Sequence, residues 1–195
     1  MAIRIHILVL VPFTALATIG LLLVLRRRGH PASRVLFIAV FAAYLTGVAS
    51  FVFFPITLDP HFIEVMRRDA TAVDGINLVP FRDLSADTTG RRQLIGNVLL
   101  GIPFGFGLPF LIQRSTWILL AWGVAFALAI ELVQLLMNVV YGFAYRVGDI
   151  NDFMLNALGV VLGLAAFRLI SAMYRRLGPA ERSGRGSYLH RVLWT

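Results

Sequence analysis

Residues 117–141 form an apolar run long enough to cross a bilayer as a single helix, and the run contains one carboxylate, Glu131. A carboxyl group inside hydrocarbon costs about 3 kcal/mol or more, so an acidic residue within a span indicates a functional site. Gln134 and Asn138 lie three and seven residues further on, which places all three polar side chains on one helix face. These features predict a helical membrane protein with a polar seam inside it.

Two other apolar segments carry small and polar residues at helical spacing. The residues are Asn97, Gly101 and Gly105 in the first segment and Asp152, Asn156, Gly159 and Gly163 in the second. Amide side chains often join membrane helices by hydrogen bonds, and small residues let helix backbones approach closely. The seam therefore has two interpretations. It is either structural, with amides joining the helices, or functional, and the carboxylate favours the functional one.

The overall composition agrees with a membrane protein. Of the 195 residues, 58 % are hydrophobic and 14 % are charged, whereas soluble domains carry about 25 % charged residues. The chain has no Cys, and its four His lack the spacing of metal ligands, so no disulfide, thiolate nucleophile, metal centre or cofactor is expected. The net charge of +8 comes from Arg residues that flank apolar segments, which indicates membrane orientation and not nucleic-acid binding.

Hydropathy predicts an all-α bundle of about five transmembrane helices. The predicted spans lie near residues 7–25, 35–58, 94–112, 117–141 and 153–170. A long polar segment, 59–93, joins the second span to the third. The transmembrane domain is expected to cover residues 1–174, and a basic tail follows at 175–195. The Gly, Ser and Arg content of that tail is typical of disorder.

The long polar segment is expected to contain structure of its own. Phe62, Ile63 and Met66 recur at helical spacing, which predicts a short helix in the membrane interface. Residues 75–81 are mostly apolar and either fold back onto the membrane domain or form a loop with a hydrophobic anchor. Val79 precedes a proline, so its backbone is expected to be extended and not helical.

The positions of the Arg residues predict the orientation of the bundle. One Arg precedes the first span, while Arg26, Arg27, Arg28 and Arg34 follow it closely. Because basic residues accumulate on the cytoplasmic side, the amino terminus is expected outside and the carboxyl terminus in the cytoplasm. Every acidic residue except Glu181 then falls outside the membrane or in the outer half of a span. The polar chemistry is therefore expected near the outer face.

Four segments of the chain resemble the VanZ-like family in their order and spacing. They are Asn77-Leu-Val-Pro80-Phe81, Asn97-Val-Leu-Leu-Gly101-Ile-Pro103-Phe104-Gly105, Glu131-Leu-Val-Gln134 and Arg146-Val-Gly-Asp149-Ile-Asn-Asp152-Phe-Met-Leu-Asn156-Ala-Leu-Gly159. The resemblance implies a small multi-pass protein of the bacterial cytoplasmic membrane, in a family whose namesake gives low-level resistance to the lipoglycopeptide teicoplanin. The polar positions that match one by one are Asn77, Asn97, Glu131, Gln134, Arg146, Asp149, Asp152 and Asn156.

The first functional hypothesis is a binding pocket that opens towards the outer surface. Its expected lining is Asn77, Phe81, Asn97, Glu131, Gln134, Arg146, Asp149, Asp152 and Asn156. Such a pocket would hold the polar head of a membrane lipid, a lipid-linked envelope component or a lipoglycopeptide antibiotic, because these amphiphiles reside in the outer leaflet. Arg146 would either bind a phosphate or carboxylate of the ligand or pair with Asp149 or Asp152.

The sequence leaves two alternatives open. A membrane enzyme acting on a lipid-linked envelope substrate would use Glu131 as a general acid or base, with Asp149 or Asp152 as its ionised counterpart. Against this reading, the sequence shows no evident Ser–His or Cys–His pair. A small proton-coupled carrier would use a buried acid for proton transfer, but no inverted repeat is visible. The sequence does not indicate the oligomeric state.

Overall fold

The computed structural model describes residues 4–5, 10–82, 88–177 and 188–194, with side chains for 11–82, 90–177 and 188–194. Most of this part is helical. The helices are α1 (Leu10–Arg27), α2 (Ala32–Phe53), α3 (Pro60–Asp69), α4 (Thr88–Leu111), α5 (Thr116–Tyr141), α6 (Ile150–Leu177) and α7 (Tyr188–Trp194). The strands are β1 (Arg4–Ile5), β2 (Ile56–Thr57), β3 (Ile76–Asn77) and β4 (Gly148–Asp149). β1 pairs antiparallel with β2, and β3 pairs parallel with β4.

Within the described residues, four helices are long and apolar enough to cross a membrane. They are α2, α4 from Gly90 onwards, α5 and α6. This finding confirms the prediction of an all-α membrane protein. The first predicted span, 7–25, corresponds to α1, which is not one of the four, and residues 7–9 lie outside the described part. The count of five spans is therefore not confirmed.

The second predicted span, 35–58, is wrong at its end, because α2 covers 32–53 and residues 56–57 form β2. Two other helices extend well beyond the predicted spans. α4 begins at Thr88, six residues before the predicted start at 94, and α6 covers 150–177 where 153–170 was predicted. Hydropathy marks only the part of a helix that lies in hydrocarbon, whereas backbone hydrogen bonding continues into polar turns such as Arg91–Gln93. Because α2 ends at Phe53, the connection between α2 and α4 covers 54–87 and is about as long as the predicted 59–93; residues 83–87 of it lie outside the described part.

Local sequence signals explain where α3 and α5 begin or end. The carboxylate of Asp59 caps α3 by accepting from the N–H groups of His61 and Phe62 at 3.0 and 3.3 Å. α3 is the short helix that the spacing of apolar residues predicts. α5 ends at Tyr141 because Gly142 adopts a left-handed backbone, with φ of 75°, that turns the chain away from the helix.

α4 and α6 form the most extensive helix pair of the bundle, because glycines bring their backbones into direct contact. The glycines at this contact are Gly101, Gly105, Gly159 and Gly163. A Cβ atom added to Gly105 would lie 2.0 Å from the carbonyl oxygen of Val160, and one added to Gly163 would lie 2.0 Å from that of Ile102. No side chain fits in such a gap, so the interface depends on glycine at these positions.

The centre of the bundle is filled by apolar side chains from four helices. Phe41 of α2, Phe104 of α4, Leu119 of α5 and Leu164 of α6 are all buried in one cluster. The ring of Phe104 also stacks on that of Phe126, with 3.9 Å between their centroids. This apolar layer separates the two ends of the bundle.

The carboxyl-terminal part is more ordered than its composition suggests. Residues 175–177 belong to α6, and α7 packs through Tyr188 and Val192 against Phe110 and Phe167. The prediction of a disordered tail is therefore wrong for 175–177 and 188–194, while 178–187 and Thr195 lie outside the described residues. The Gly, Ser and Arg residues dominate the average composition of the segment, so its composition does not reveal the short helix at its end, which contains several apolar residues.

The two ends of the bundle differ in charge. We call the end that carries Glu131, Arg146 and Asp152 the polar end; α2 and α5 end there, and α4 and α6 begin there. We call the opposite end, which carries Arg34 and Arg191, the basic end.

Candidate functional site

A cavity of about 340 Å³ lies at the polar end between α2, α4, α5 and α6. Six of the nine predicted site residues line it: Asn97, Glu131, Gln134, Arg146, Asp152 and Asn156. Phe51 and Val52 of α2 form its apolar side. The structure therefore brings together the polar residues of three separate helices, as the helical spacing requires.

α5 positions the acid of this cavity and also fixes the loop that follows. Glu131 is 7 % exposed, and its Oε2 accepts a hydrogen bond from the backbone N–H of Asp149 at 3.1 Å. Two turns later, Asn138 pairs with the backbone of Arg146 in both directions: it accepts from the N–H at 2.7 Å and donates to the C=O at 2.7 Å. The seam of polar residues along α5 thus holds Arg146 beside the cavity.

Asp152 connects α6 to α4 across the cavity. Its Oδ1 accepts from the side-chain amide of Asn97 and, at 2.9 Å, from that of Gln93. Asp152 lies in the first turn of α6, where the helix dipole favours a negative charge. These hydrogen bonds therefore fix the Asp152 carboxylate and the side-chain amides of Gln93 and Asn97 relative to one another.

Three buried polar atoms that face this cavity have no hydrogen-bond partner among the residues that the structure describes. They are Gln134 Oε1, Asn156 Oδ1 and Arg146 Nε. Asn156 is only 1 % exposed. Leaving a buried polar group unpaired costs about 1–3 kcal/mol, so native proteins pair nearly all of them. These two acceptors and one donor can be satisfied by a polar molecule that enters the cavity.

The charged groups around the cavity balance in sign. Glu131 and Asp152 supply the acids, and Arg92 and Arg146 supply the bases. Within the described residues, Arg146 forms no ion pair with Asp149 or Asp152, and its guanidinium lies 5.4 Å from the ring centroid of Tyr145. Of the two roles considered for Arg146, pairing with these acids is therefore wrong.

Asn77 and Asp149 do not line the cavity but contact residues that do. Asn77 donates from its side chain to Asp149 Oδ1 at 3.0 Å, and the N–H of Asn151 donates to the same oxygen at 2.8 Å. The pairing of β3 with β4 brings these residues together. Asp149 in turn donates its own N–H to Glu131. Residues 75–81 thus fold back onto the membrane domain, which was one of the two readings of that segment.

Phe81 lies on the surface and not in the cavity. Its side chain is 70 % exposed, and its backbone N–H donates to Asn151 Oδ1 at 2.7 Å. Its φ of 64° is a left-handed conformation that bulky side chains rarely adopt. Such strain persists where the surrounding structure imposes it, and it is common at functional sites.

Replacement of this residue by one that tolerates the left-handed conformation should stabilise the protein. We expect Phe81→Asn to raise the free energy of unfolding by about 1 kcal/mol, because the strain is relieved and an exposed ring loses little packing. Thermal unfolding of the purified protein in detergent measures the change. Leu78→Asn serves as the control, because Leu78 is 71 % exposed and has a negative φ, and this change should leave the stability nearly unaltered. A Phe81→Asn protein that is less stable than the native one would contradict the expectation.

Several residues of the site escape sequence reasoning. Arg92 and Gln93 line the cavity although they precede the predicted third span, and Asn151 binds the backbone of Phe81 and Arg82 through its side chain. The sequence signal that could have identified Arg92 and Gln93 is their position directly before the apolar run that begins at Leu94. No group of three or more His, Cys, Asp or Glu residues that could hold a metal ion occurs in the described part of the chain.

One of three comparisons with known proteins identifies a family. The model of the VanZ/LLP1 family matches residues 41–171, which covers two thirds of the chain and every residue of the cavity. Comparison with curated proteins and with solved structures gives no match. The matched region contains all four membrane-crossing helices, apart from the first residues of α2 and the last of α6. Because the match covers more than half of the chain, the protein belongs to the VanZ-like family of multi-pass membrane proteins.

Proposed function

We infer that the cavity at the polar end binds the polar head group of an amphiphile. The observation that carries this proposal is the convergence on one cavity of three buried atoms that find no partner in the described part of the chain, Gln134 Oε1, Asn156 Oδ1 and Arg146 Nε. A head group that both donates and accepts hydrogen bonds would pair all three. Within the part of the chain that the structure describes, Glu131 accepts one hydrogen bond, from the N–H of Asp149, so its carboxylate can accept more from the ligand.

An amphiphile suits the cavity better than a small soluble molecule, because one wall is apolar and faces outward. Phe51 lines the cavity and is 72 % exposed on α2, a helix able to cross the membrane. Gly96 of α4 also lines the cavity, and a Cβ added there would meet no atom within 4 Å. A head group held by the amides would therefore place its chain along Phe51 and into the lipid.

The proposal extends to the membrane and its orientation. The polar end would face outward from the bacterial cytoplasmic membrane, with α1 as an additional span and the basic end in the cytoplasm. The four membrane-crossing helices support the membrane location, and the run of Arg residues from the end of α1 to the first turn of α2 supports the orientation. The ligand would then be a lipid, a lipid-linked envelope component or a lipoglycopeptide, and binding would contribute to teicoplanin-type resistance.

Filling the cavity tests the proposal without removing a single hydrogen bond. We expect Gly96→Leu to weaken teicoplanin binding by the purified protein at least about tenfold, because the new side chain enters open space inside the cavity. Gly47→Leu on α2 is the matched control, since that glycine also has open space around its Cβ and lies away from the cavity. Fluorescence titration with labelled teicoplanin measures binding, and drug susceptibility of expressing cells measures the phenotype.

A second variant addresses the acid itself. Glu131→Gln preserves the shape of the side chain and its ability to accept from the N–H of Asp149, but removes the charge. If the ligand donates to this carboxylate, binding should fall about tenfold, in line with a charged hydrogen bond. Unchanged binding in both Glu131→Gln and Gly96→Leu would exclude the cavity as the binding site.

A second candidate function is acid–base catalysis on a lipid-linked envelope substrate. It is favoured by the presence of two carboxylates, Glu131 and Asp152, in the same cavity. Catalysis predicts that Glu131→Gln abolishes turnover and retains binding, whereas a binding function predicts that both variants lose affinity together. Mass spectrometry of lipid-linked precursors from cells with and without the protein distinguishes the two.

A further inference from the structure

A second cavity, of about 290 Å³, lies at the basic end, on the opposite side of the apolar layer from Glu131. It is formed where α2 begins, where α4 ends and where α7 packs against both. The polar side chains around it are His30, Arg34, Gln113, Tyr188 and Arg191. Among the described residues that line it, none carries a negative charge.

Two guanidinium groups face this cavity from different helices. Arg34 lies in the first turn of α2, and Arg191 lies on α7. Neither forms an ion pair with a residue that the structure describes, and Arg34 Nη1 lies 3.4 Å from His30 Nδ1. Two like charges facing one cavity repel each other unless an anion lies between them. The planar fork of Arg matches the oxygen atoms of a phosphate.

The helix ends around the cavity add to its preference for an anion. α2 begins at Ala32, and its N-cap, Pro31, offers no side-chain acceptor to the first amides of the helix. The amino-terminal end of a helix carries a partial positive charge. The opposing carbonyl groups come from the end of α4, where the Tyr188 hydroxyl donates to the carbonyl oxygen of Phe110 and partly neutralises that end.

We propose that the cavity at the basic end binds a phosphate group, carried by an anionic phospholipid or present in solution. The cavity lies level with the ends of two membrane-crossing helices, at Ala32 and Leu111, and lipid head groups lie at that depth of a bilayer. The two arginines bind the phosphate, and Gln113 and His30 supply further hydrogen bonds. This site is independent of the function proposed for the polar end.

Native mass spectrometry of the full chain in detergent tests the proposal. The protein is mixed with equal amounts of phosphatidylglycerol and phosphatidylcholine, and the lipids that remain bound are counted. We expect the native protein to retain phosphatidylglycerol preferentially, and the double variant Arg34→Gln/Arg191→Gln to retain it about thirtyfold less, from the loss of two charges near a head group. Neither arginine lines the cavity at the polar end, so the phosphatidylglycerol that the double variant loses is the part held at the basic end.

Two controls exclude a general effect of charge or a loss of α7. Arg176→Gln removes an exposed charge at the same end that does not line the cavity, and it should leave the retention of phosphatidylglycerol unchanged. Arg191→Lys keeps the charge and should retain most of the lipid. Equal retention by the native protein and the double variant, or equal retention of the two lipids by the native protein, would overturn the proposal.

A second arm identifies the source of the phosphate. Inorganic phosphate is added at increasing concentration while the retained phosphatidylglycerol is followed. If the lipid is the ligand, millimolar phosphate should not displace it. Two results together would assign the site to phosphate in solution. Phosphate would displace the lipid from the native protein, and phosphate would raise the unfolding temperature of the native protein but not that of the double variant. No response to either ligand would overturn the proposal.

Discussion

Gly105→Ala should cause one of the largest losses of stability among single substitutions in the bundle. The added methyl group would lie 2.0 Å from the carbonyl oxygen of Val160, well inside the contact distance of carbon and oxygen. Neither atom can rotate away, because one is a Cβ and the other belongs to the backbone. α4 and α6 would have to separate along their whole contact, at a cost of about 3 kcal/mol or more.

The expected result is a lower yield of monodisperse protein in size-exclusion chromatography and a fall of about 10 °C in the unfolding temperature. Gly47→Ala is the matched control, because a Cβ at Gly47 meets no atom within 4 Å. Since Ala favours a helix over Gly by about 1 kcal/mol, this control should be neutral or slightly stabilising. Similar unfolding temperatures for Gly105→Ala and Gly47→Ala would mean that α4 and α6 are not in backbone contact.

The second large effect is expected from Asn138→Ala. Asn138 is 1 % exposed and pairs with both the N–H and the C=O of Arg146 at 2.7 Å. Removal of the amide leaves two backbone groups of the loop unpaired, which costs about 3 kcal/mol. Because the same two bonds hold Arg146 beside the cavity, binding at the polar end should weaken together with stability.

Asn138→Asp and Val139→Ala make this prediction specific. The carboxylate of Asn138→Asp can still accept from the N–H of Arg146 but faces its carbonyl oxygen, so the variant should be at least as unstable as Asn138→Ala. Val139 is 69 % exposed on the adjacent position of α5, and Val139→Ala should change the unfolding temperature little. Thermal unfolding and limited proteolysis after Tyr141 measure both. An Asn138→Ala protein as stable as Val139→Ala would contradict the role of the amide.

The sequence predicts the membrane-crossing helices and the centre of the site for the same physical reason. Hydrocarbon excludes polar groups, so Glu131, Gln134 and Asn156 are visible in apolar runs, and helical spacing places them on inward faces. Their common cavity follows once the glycines of α4 and α6 allow close packing. These features depend on residues only a few positions apart in the chain.

The features that the sequence leaves unpredicted depend on contacts between distant residues. Asn77 supports Asp149 through a hydrogen bond between positions 72 residues apart, which no local pattern encodes. Phe81 belongs to a family motif, yet its left-handed backbone directs the ring to the surface. Hydrogen bonds to its backbone hold Arg146, and among the described residues its side chain forms no ion pair with the nearby Asp149, which the sequence does not reveal.

The direct contact between α4 and α6 has a mechanical consequence. These two helices carry Asn97, Asp152 and Asn156, and a pair whose peptide groups touch cannot slide or part without losing its entire interface. The two helices therefore form one rigid side of the cavity. A bulky molecule can enter only if the opposite side moves, where α2 contributes Phe51 and Val52. The ring of Phe51 would be the first group to change its rotamer.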